Sequence, residues 1–173
     1  MELTLRDVTP DDAESLAHVL ITASESAFRG LVPDHCLTFT EAESATNWRR
    51  FLGDEGLPDD DFLVVALVEN KIVGYVYGGL RAEDDLYRGE VRVLKVLPAY
   101  HQRGIGRKLI SSAAQKLAKK NIYTMRVEVL RINPNRIFYE RVGAKFISEY
   151  PYDWDGVKLS MCVYGWADTR ALY

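Results

Sequence analysis

Apolar and polar positions change period several times along the chain, and each change marks an element. Residues 2–6 alternate as a short strand does. Thr9 then stands as an N-cap before Pro10, with Asp12 placed to complete a capping box. Ala13, Leu16, Ala17, Leu20, Ile21, Ala27 and Phe28 keep helical spacing, which predicts a helix to about Phe28. Arg29-Gly30-Leu31-Val32-Pro33 breaks it, and a second amphipathic helix over 40–52 should pack Trp48 and Phe51. An acidic turn at 54–61 leads into β-rich runs at 62–69 and 72–81, joined as a hairpin by Asn70-Lys71. A third strand, 90–97, stops at Pro98. Residues 104–120 form a helix with Ile105, Leu109, Ala113 and Leu117 on one side, and 122–130 form a strand. Asn133 caps another helix, with Pro134 at its first position and Gly143 as its stop. Two strands, 145–150 and 157–165, close the chain around a turn at 153–156.

The order β-α-α-β-β-β-α-β-α-β-β is that of a mixed α/β protein, with antiparallel hairpins and then a right-handed crossover through the 104–120 helix. No repeat or Pro/Gly/Ser-rich linker divides residues 1–173, so one domain is expected. A chain of 173 residues buries roughly two-thirds of its unfolded surface, enough for a core without staples. The longest apolar run, Phe62 to Val68, has seven residues, too few to span a bilayer. The N-terminus lacks the pattern of a leader, so a cytoplasmic protein without membrane contact is expected. Cys36 and Cys162 read as buried thiols, and His18, His35 and His101 show no metal-ligand spacing, so no metal is expected.

Charge adds a division that the net value of −3 conceals. Ala99 to Lys145 holds 11 Lys and Arg against 2 Asp and Glu, a balance of +9, and the remainder carries −12. Such a block suggests an anionic ligand on one part and a cationic one on another; solvated helix faces would give the same counts.

The loop at 101–106, His101-Gln102-Arg103-Gly104-Ile105-Gly106, follows a strand and opens a helix among Arg103, Arg107 and Lys108. Glycines at a helix start let backbone approach a ligand, and free amides with the helix dipole favour an anion such as a pyrophosphate. A dinucleotide fingerprint would need glycine at Leu109, and a P-loop would need Gly-Lys-Ser/Thr where Gly106-Arg107-Lys108 stands. Neither fits.

The loop resembles the acyl-CoA motif of the GNAT superfamily of N-acetyltransferases, Gln/Arg-x-x-Gly-x-Gly/Ala, with His101 where Gln or Arg is usual. Val96-Leu97-Pro98 resembles the Val-x-Pro that precedes it, and residues 133–146 resemble the family's later Asn/Phe-Tyr/Gly segment at a slightly shorter spacing. The resemblance implies a mostly antiparallel sheet with helices on both faces, and acetyl-CoA as cosubstrate. It implies that Leu94, Lys95, Val96, His101, Gln102, Arg103, Gly104, Ile105, Gly106 and Arg107 hold the cofactor, with Asn133 or Asn135 and Tyr139. Tyr139 is then the acid that protonates the leaving thiolate.

Glu90 is the candidate base, 14 residues before Gly104, and strand alternation puts Glu90, Arg92, Leu94 and Val96 on one face if no bulge intervenes. A bulge within Leu94–Val96 would expose a backbone donor to the thioester carbonyl. Phe28 and Arg29 are candidates for the acceptor side, with Tyr75, Tyr77, Tyr152 and Trp154 opposite. Asp59-Asp60-Asp61 and Glu83-Asp84-Asp85 could attract a cationic amine. A small primary amine is the expected acceptor; a protein N-terminus or lysine, or a CoA-binding module without catalysis, are the alternatives. Nucleic acid is not expected, because no second basic surface is present. A homodimer is possible.

Overall fold

A computed structural model describes residues 1–82 and 86–173, and of Asp54 and Glu55 the backbone alone. Seven strands make one sheet: β1 (Leu3–Asp7), β2 (Asp61–Val68), β3 (Lys71–Leu80), β4 (Gly89–Val96), β5 (Met125–Leu130), β6 (Lys145–Trp154) and β7 (Val157–Trp166). They lie in the order β1-β2-β3-β4-β5-β7-β6. Every neighbouring pair is antiparallel except β4 and β5, which the crossover helix makes parallel. That helix is α3 (Ile105–Ala118); α1 (Ala13–Phe28), α2 (Glu41–Arg50) and the short α4 (Ile137–Arg141) are the others. The mixed α/β order expected from the residue pattern is the one observed.

The run at 62–68 is apolar throughout because both of its faces are covered. Phe62, Val64, Ala66 and Val68 join the larger core with Ile105, Leu109, Ile110 and Ala113 of α3. Leu63 and Val65 turn the other way, to Leu16 and Val19 of α1 and to Tyr75. The β2–β3 and β6–β7 hairpins turn on residues in the left-handed region, Glu69-Asn70 and Asp155-Gly156, so the first turn falls one residue earlier than the sequence suggests.

The caps behave as their chemistry requires. Asp12 Oδ2 accepts from the Thr9 amide at 2.8 Å, and Arg6 clamps the same carboxylate at 2.7 and 2.8 Å. That guanidinium, with the Thr9 amide, holds the Asp12 carboxyl below its ordinary range. Thr40 and Glu43 form the capping box of α2. The predicted helix after Asn133 is shorter than expected: Asn133 Oδ1 accepts from the Asn135 amide at 2.8 Å and builds a turn, and α4 begins only at Ile137.

Candidate active site

The site begins with a defect in β4. Tyr77 pairs with Val93 but Gly78 pairs with Val91, so Arg92 is the extra residue of a bulge. The bulge resets the alternation. Val91, Leu94 and Val96 face the α3 core, whereas Val93 packs with the α1 core. Glu90 and Arg92 are therefore separated from Leu94 and Val96, and the irregularity expected within Leu94–Val96 lies earlier.

Beyond the bulge the sheet opens. β4 pairs with β5 only at Gly89, Glu90 and Val91. The Leu97 amide donates to the Val73 carbonyl, which fixes the ladder phase so that Lys95 and Val93 bond to β3. The amides and carbonyls of Leu94 and Val96 consequently point into the gap beside β5. His101 Nε2 donates to the Val96 carbonyl at 2.9 Å and ties the following loop to the strand end. Lys95, grouped by the resemblance with Leu94 and Val96, is turned the other way.

The loop leads directly from this gap to α3. Gln102 and Gly104 have φ of 60° and 79°, and a Cβ on Gly104 would meet nothing within 4 Å. Among the described residues, the amides of 102–107 have no backbone acceptor; the first such bond of the helix is Lys108 N–H to the Gly104 carbonyl. Arg103, Arg107 and Lys108 have no carboxylate partner among the described residues; Arg103 lies over the Tyr100 ring and Arg107 donates to the Arg141 carbonyl. A row of free amides with open space in front and unneutralised cations around it fits a pyrophosphate. Gly106 has a different reason for being glycine: its Cβ would come within 3.0 Å of the Phe138 ring. That contact docks α4 on the start of α3.

Docking brings Tyr139 to the same end of the sheet. Its ring is buried, stacked on Tyr164 at 6.2 Å and edge-on to Trp166. Burial raises its pKa, so the hydroxyl stays a proton donor. No hydrogen bond to its hydroxyl is formed among the described residues. Asn135, exposed with a free side chain, and Asn133, whose oxygen is used in the turn, both precede it.

The opposite face of β4 is organised by ion pairs. Glu90 lies 3.3 Å from Arg81, 3.5 Å from Arg92 and 3.9 Å from Arg126. Arg92 also donates to Asp61 at 2.6 Å, and Asp61 accepts the Tyr77 hydroxyl at 2.5 Å. Arg126 pairs with Glu128, which accepts from Tyr150 at 2.6 Å. Beside this network lies a cleft of about 530 Å³ between α1 and α2, walled by Leu20, Phe39, Trp48, Phe51 and Trp154, with Tyr77 and Val93 as its floor. Phe28 is buried edge-on to Trp154 at 5.4 Å, and the Lys95 ammonium stands 5.8 Å from its ring centre. Arg29 is held at the surface by Glu25 and Asp34.

Comparison with known proteins settles the family. The model of the acetyltransferase (GNAT) family matches residues 28–144, more than half of the chain. The chain belongs to the GNAT family. As a GNAT protein it is an acyl-CoA-dependent N-acetyltransferase. It is similar to an uncharacterized N-acetyltransferase, YuaI, of Bacillus subtilis, with 25% identity over 98% of this chain and 96% of that one. Its fold is similar to the PaiA N-acetyltransferase of Thermoplasma acidophilum in complex with coenzyme A, at TM-score 0.69 and 21% identity, covering 93% of this chain and 98% of that one. YncA, a putative acetyltransferase of Salmonella typhimurium with acetyl-CoA, gives TM-score 0.67 and 17% identity over 96% and 94% of the two chains.

Within this GNAT fold the predicted residues divide by face. Leu94, Val96, His101 to Arg107, Asn133, Asn135 and Tyr139 gather around the gap and the start of α3. Glu90, Lys95 and Phe28 lie on the α1 face. Of the other aromatics, Tyr77 and Trp154 line the cleft, Tyr152 is exposed, and Tyr75 is sealed in the core with its hydroxyl unpaired. Asp60 is tied to Lys120 and Asp61 to Arg92, and Glu83-Asp84-Asp85 lies outside the described residues. Sequence reasoning missed the Asp61–Arg92–Tyr77 link, since Glu90-Val91-Arg92-Val93 alternates as a regular strand does and carries no signal of the bulge. Among the described residues no group of His, Cys, Asp and Glu is placed to hold a metal, and no helix is long and apolar enough to cross a membrane.

Proposed function

We propose that this GNAT protein transfers an acetyl group from acetyl-CoA directly to the primary amine of a small molecule. The observation that carries the reading is the run of unpaired amides at 102–107, continuous with the Leu94 and Val96 amides that point into the gap and separated by one strand from an apolar cleft. The cleft's volume lies in the range of small-molecule sites.

Acetyl-CoA supplies a thioester: the amine nitrogen bonds to the acetyl carbon, the carbon–sulfur bond breaks, and the sulfur leaves needing one proton. The amides of 102–107, with Arg103, Arg107 and Lys108, hold the pyrophosphate. Amides of Leu94 and Val96 orient the pantetheine arm and the carbonyl through main-chain bonds. Tyr139 gives its hydroxyl proton to the sulfur and regains one, through solvent, as the nitrogen sheds its second proton on becoming an amide. Glu90 accepts the proton that the ammonium must lose before it can attack; its oxygens face three guanidinium groups, so it acts through water rather than by contact. Phe28 supports Trp154 of the cleft wall from behind, and Arg29 fixes the loop after α1.

Tyr139→Phe tests the acid: turnover falls about 10- to 100-fold, while acetyl-CoA affinity by calorimetry stays within about threefold. Wild-type protein that binds neither CoA nor acetyl-CoA would sink the reading. Glu90→Gln tests the base: turnover drops about 100-fold and the acidic limb of the pH–rate profile changes. An unchanged profile removes Glu90 from the mechanism.

A further inference from the structure

The α1 face of the sheet carries many carboxylates, yet those described there are already answered. Glu25 binds Arg29, Asp61 binds Arg92, Glu128 binds Arg126, and Glu90 faces three guanidinium groups. A polyamine entering here would find no carboxylate waiting for it. Lys95 is the reverse case. Its side chain is half-buried, its ammonium stands 5.8 Å from the Phe28 ring centre, and it has no carboxylate within ion-pair distance among the described residues. Withdrawing an ammonium from water without a carboxylate costs stability, and the contact with the Phe28 ring returns only part of that cost.

The position of Lys95 gives the charge a use. It follows Val93, the floor of the apolar cleft, by two residues on the same face of β4. Leu94 and Val96, on either side of it, turn their amides into the gap where the thioester is expected. Phe28, beside the ammonium, packs on Trp154 of the cleft wall. An apolar pocket, a cation two residues along the strand from its floor, and the expected acyl-transfer point thus follow one another along β4. An α-amino acid with an apolar side chain presents the matching three groups from one carbon atom.

We propose that the acceptor is a hydrophobic or aromatic α-amino acid, whose carboxylate binds Lys95 while its side chain fills the cleft and its amine meets the acetyl group. This rests on the acetyltransferase reading above and narrows its substrate class. The reaction is balanced: a new N–C bond replaces the C–S bond, one of the two protons the ammonium loses leaves through Glu90 to solvent, the other replaces the proton Tyr139 gives the sulfur, and N-acetyl amino acid and free CoA thiol are released.

The test uses matched amines that differ only by the carboxylate: L-phenylalanine against phenethylamine and L-tryptophan against tryptamine, with spermidine as the polycation. Thiol release is measured with wild type, Lys95→Met and Lys95→Arg, and acetyl-CoA binding is measured by calorimetry on each. The expected result is that wild type prefers each amino acid over its decarboxylated partner by about 10-fold or more. Lys95→Met raises KM for the amino acids about 10- to 100-fold and leaves KM for phenethylamine within about threefold, and Lys95→Arg recovers part of the loss. Wild type preferring phenethylamine or spermidine, accepting none of the five amines while binding acetyl-CoA, or keeping its preference after Lys95→Met overturns the assignment. Failure to bind acetyl-CoA would instead remove the acetyltransferase reading itself, so the two failures are distinguishable.

Discussion

The two sides of β4 handle charge in opposite ways. On the α3 side, Arg103, Arg107 and Lys108 have no carboxylate partner among the described residues, and six successive amides have no backbone acceptor. On the α1 side, carboxylates and guanidinium groups satisfy one another in a network from Asp61 through Arg92 and Glu90 to Arg126 and Glu128, leaving Lys95 outside it. Groups left unanswered by the protein mark where a ligand's own charge arrives. One side is therefore complementary to a polyanion, and the other to a mostly apolar molecule with one negative group. Total charge in the sequence pointed to acid on the acceptor side; pairing reverses that conclusion.

The strongest way to break the contrast is at the loop. Gly104→Val places a β-branched residue at φ 79° and pushes methyl groups into the open space before the amides. CoA affinity by calorimetry should fall roughly 100-fold. Gly30, at φ 83° with equally open surroundings in the loop after α1, is the matched control. Gly30→Val carries the same backbone strain, yet should leave CoA affinity within about threefold. Equal losses in the two variants would mean that strain, not the loss of an anion site, explains the first.

Much of this was legible in the sequence, and what was not has a physical reason. Helix and hairpin positions follow from periodicity and caps, and the anion loop from Gly104 with its cations. The bulge at Arg92 was not legible, because a single inserted residue looks like ordinary alternation until the partner strand is known. Everything that depends on it moved as a result: Leu94 and Val96 parted from Glu90, and Lys95 came to the face it shares with Val93. Gly106 was read as a site of ligand approach, but its partner is Phe138, 32 residues away in sequence. The ion pairs were invisible for the same reason, since Asp61 and Arg92 are neighbours only across the sheet.

A second test acts on the network side. Asp61 accepts from both Tyr77 and Arg92, and its side chain is only 6% exposed. Asp61→Asn should cost about 1–3 kcal/mol in urea unfolding, because a part-buried Arg92 then loses its closest carboxylate. CoA affinity should be unaffected, since no group on the α3 side touches Asp61. A variant that binds CoA poorly but is fully stable would show that the two faces are coupled through β4.

The smallest expected effect is also the most diagnostic. Burial lowers the Lys95 pKa below its ordinary value near 10.5. Between the lowered value and the ordinary one, the unfolded chain binds more protons than the folded one, so stability rises with pH across that window. Below the lowered value the full cost of the enclosed charge is present; above about 10.5 it vanishes. Lys95→Met removes the cost, so the variant should be more stable than wild type near neutral pH, by about 1 kcal/mol or a melting point about 2–4 °C higher. The gap between them should close as pH approaches 10.5. A lysine kept only for packing along its aliphatic stem predicts the opposite, a loss of stability in the methionine variant at every pH. A gain in stability joined to a loss of amino-acid acetylation would mean that the chain accepts an unpaired charge at this position for the sake of the molecule that pairs with it.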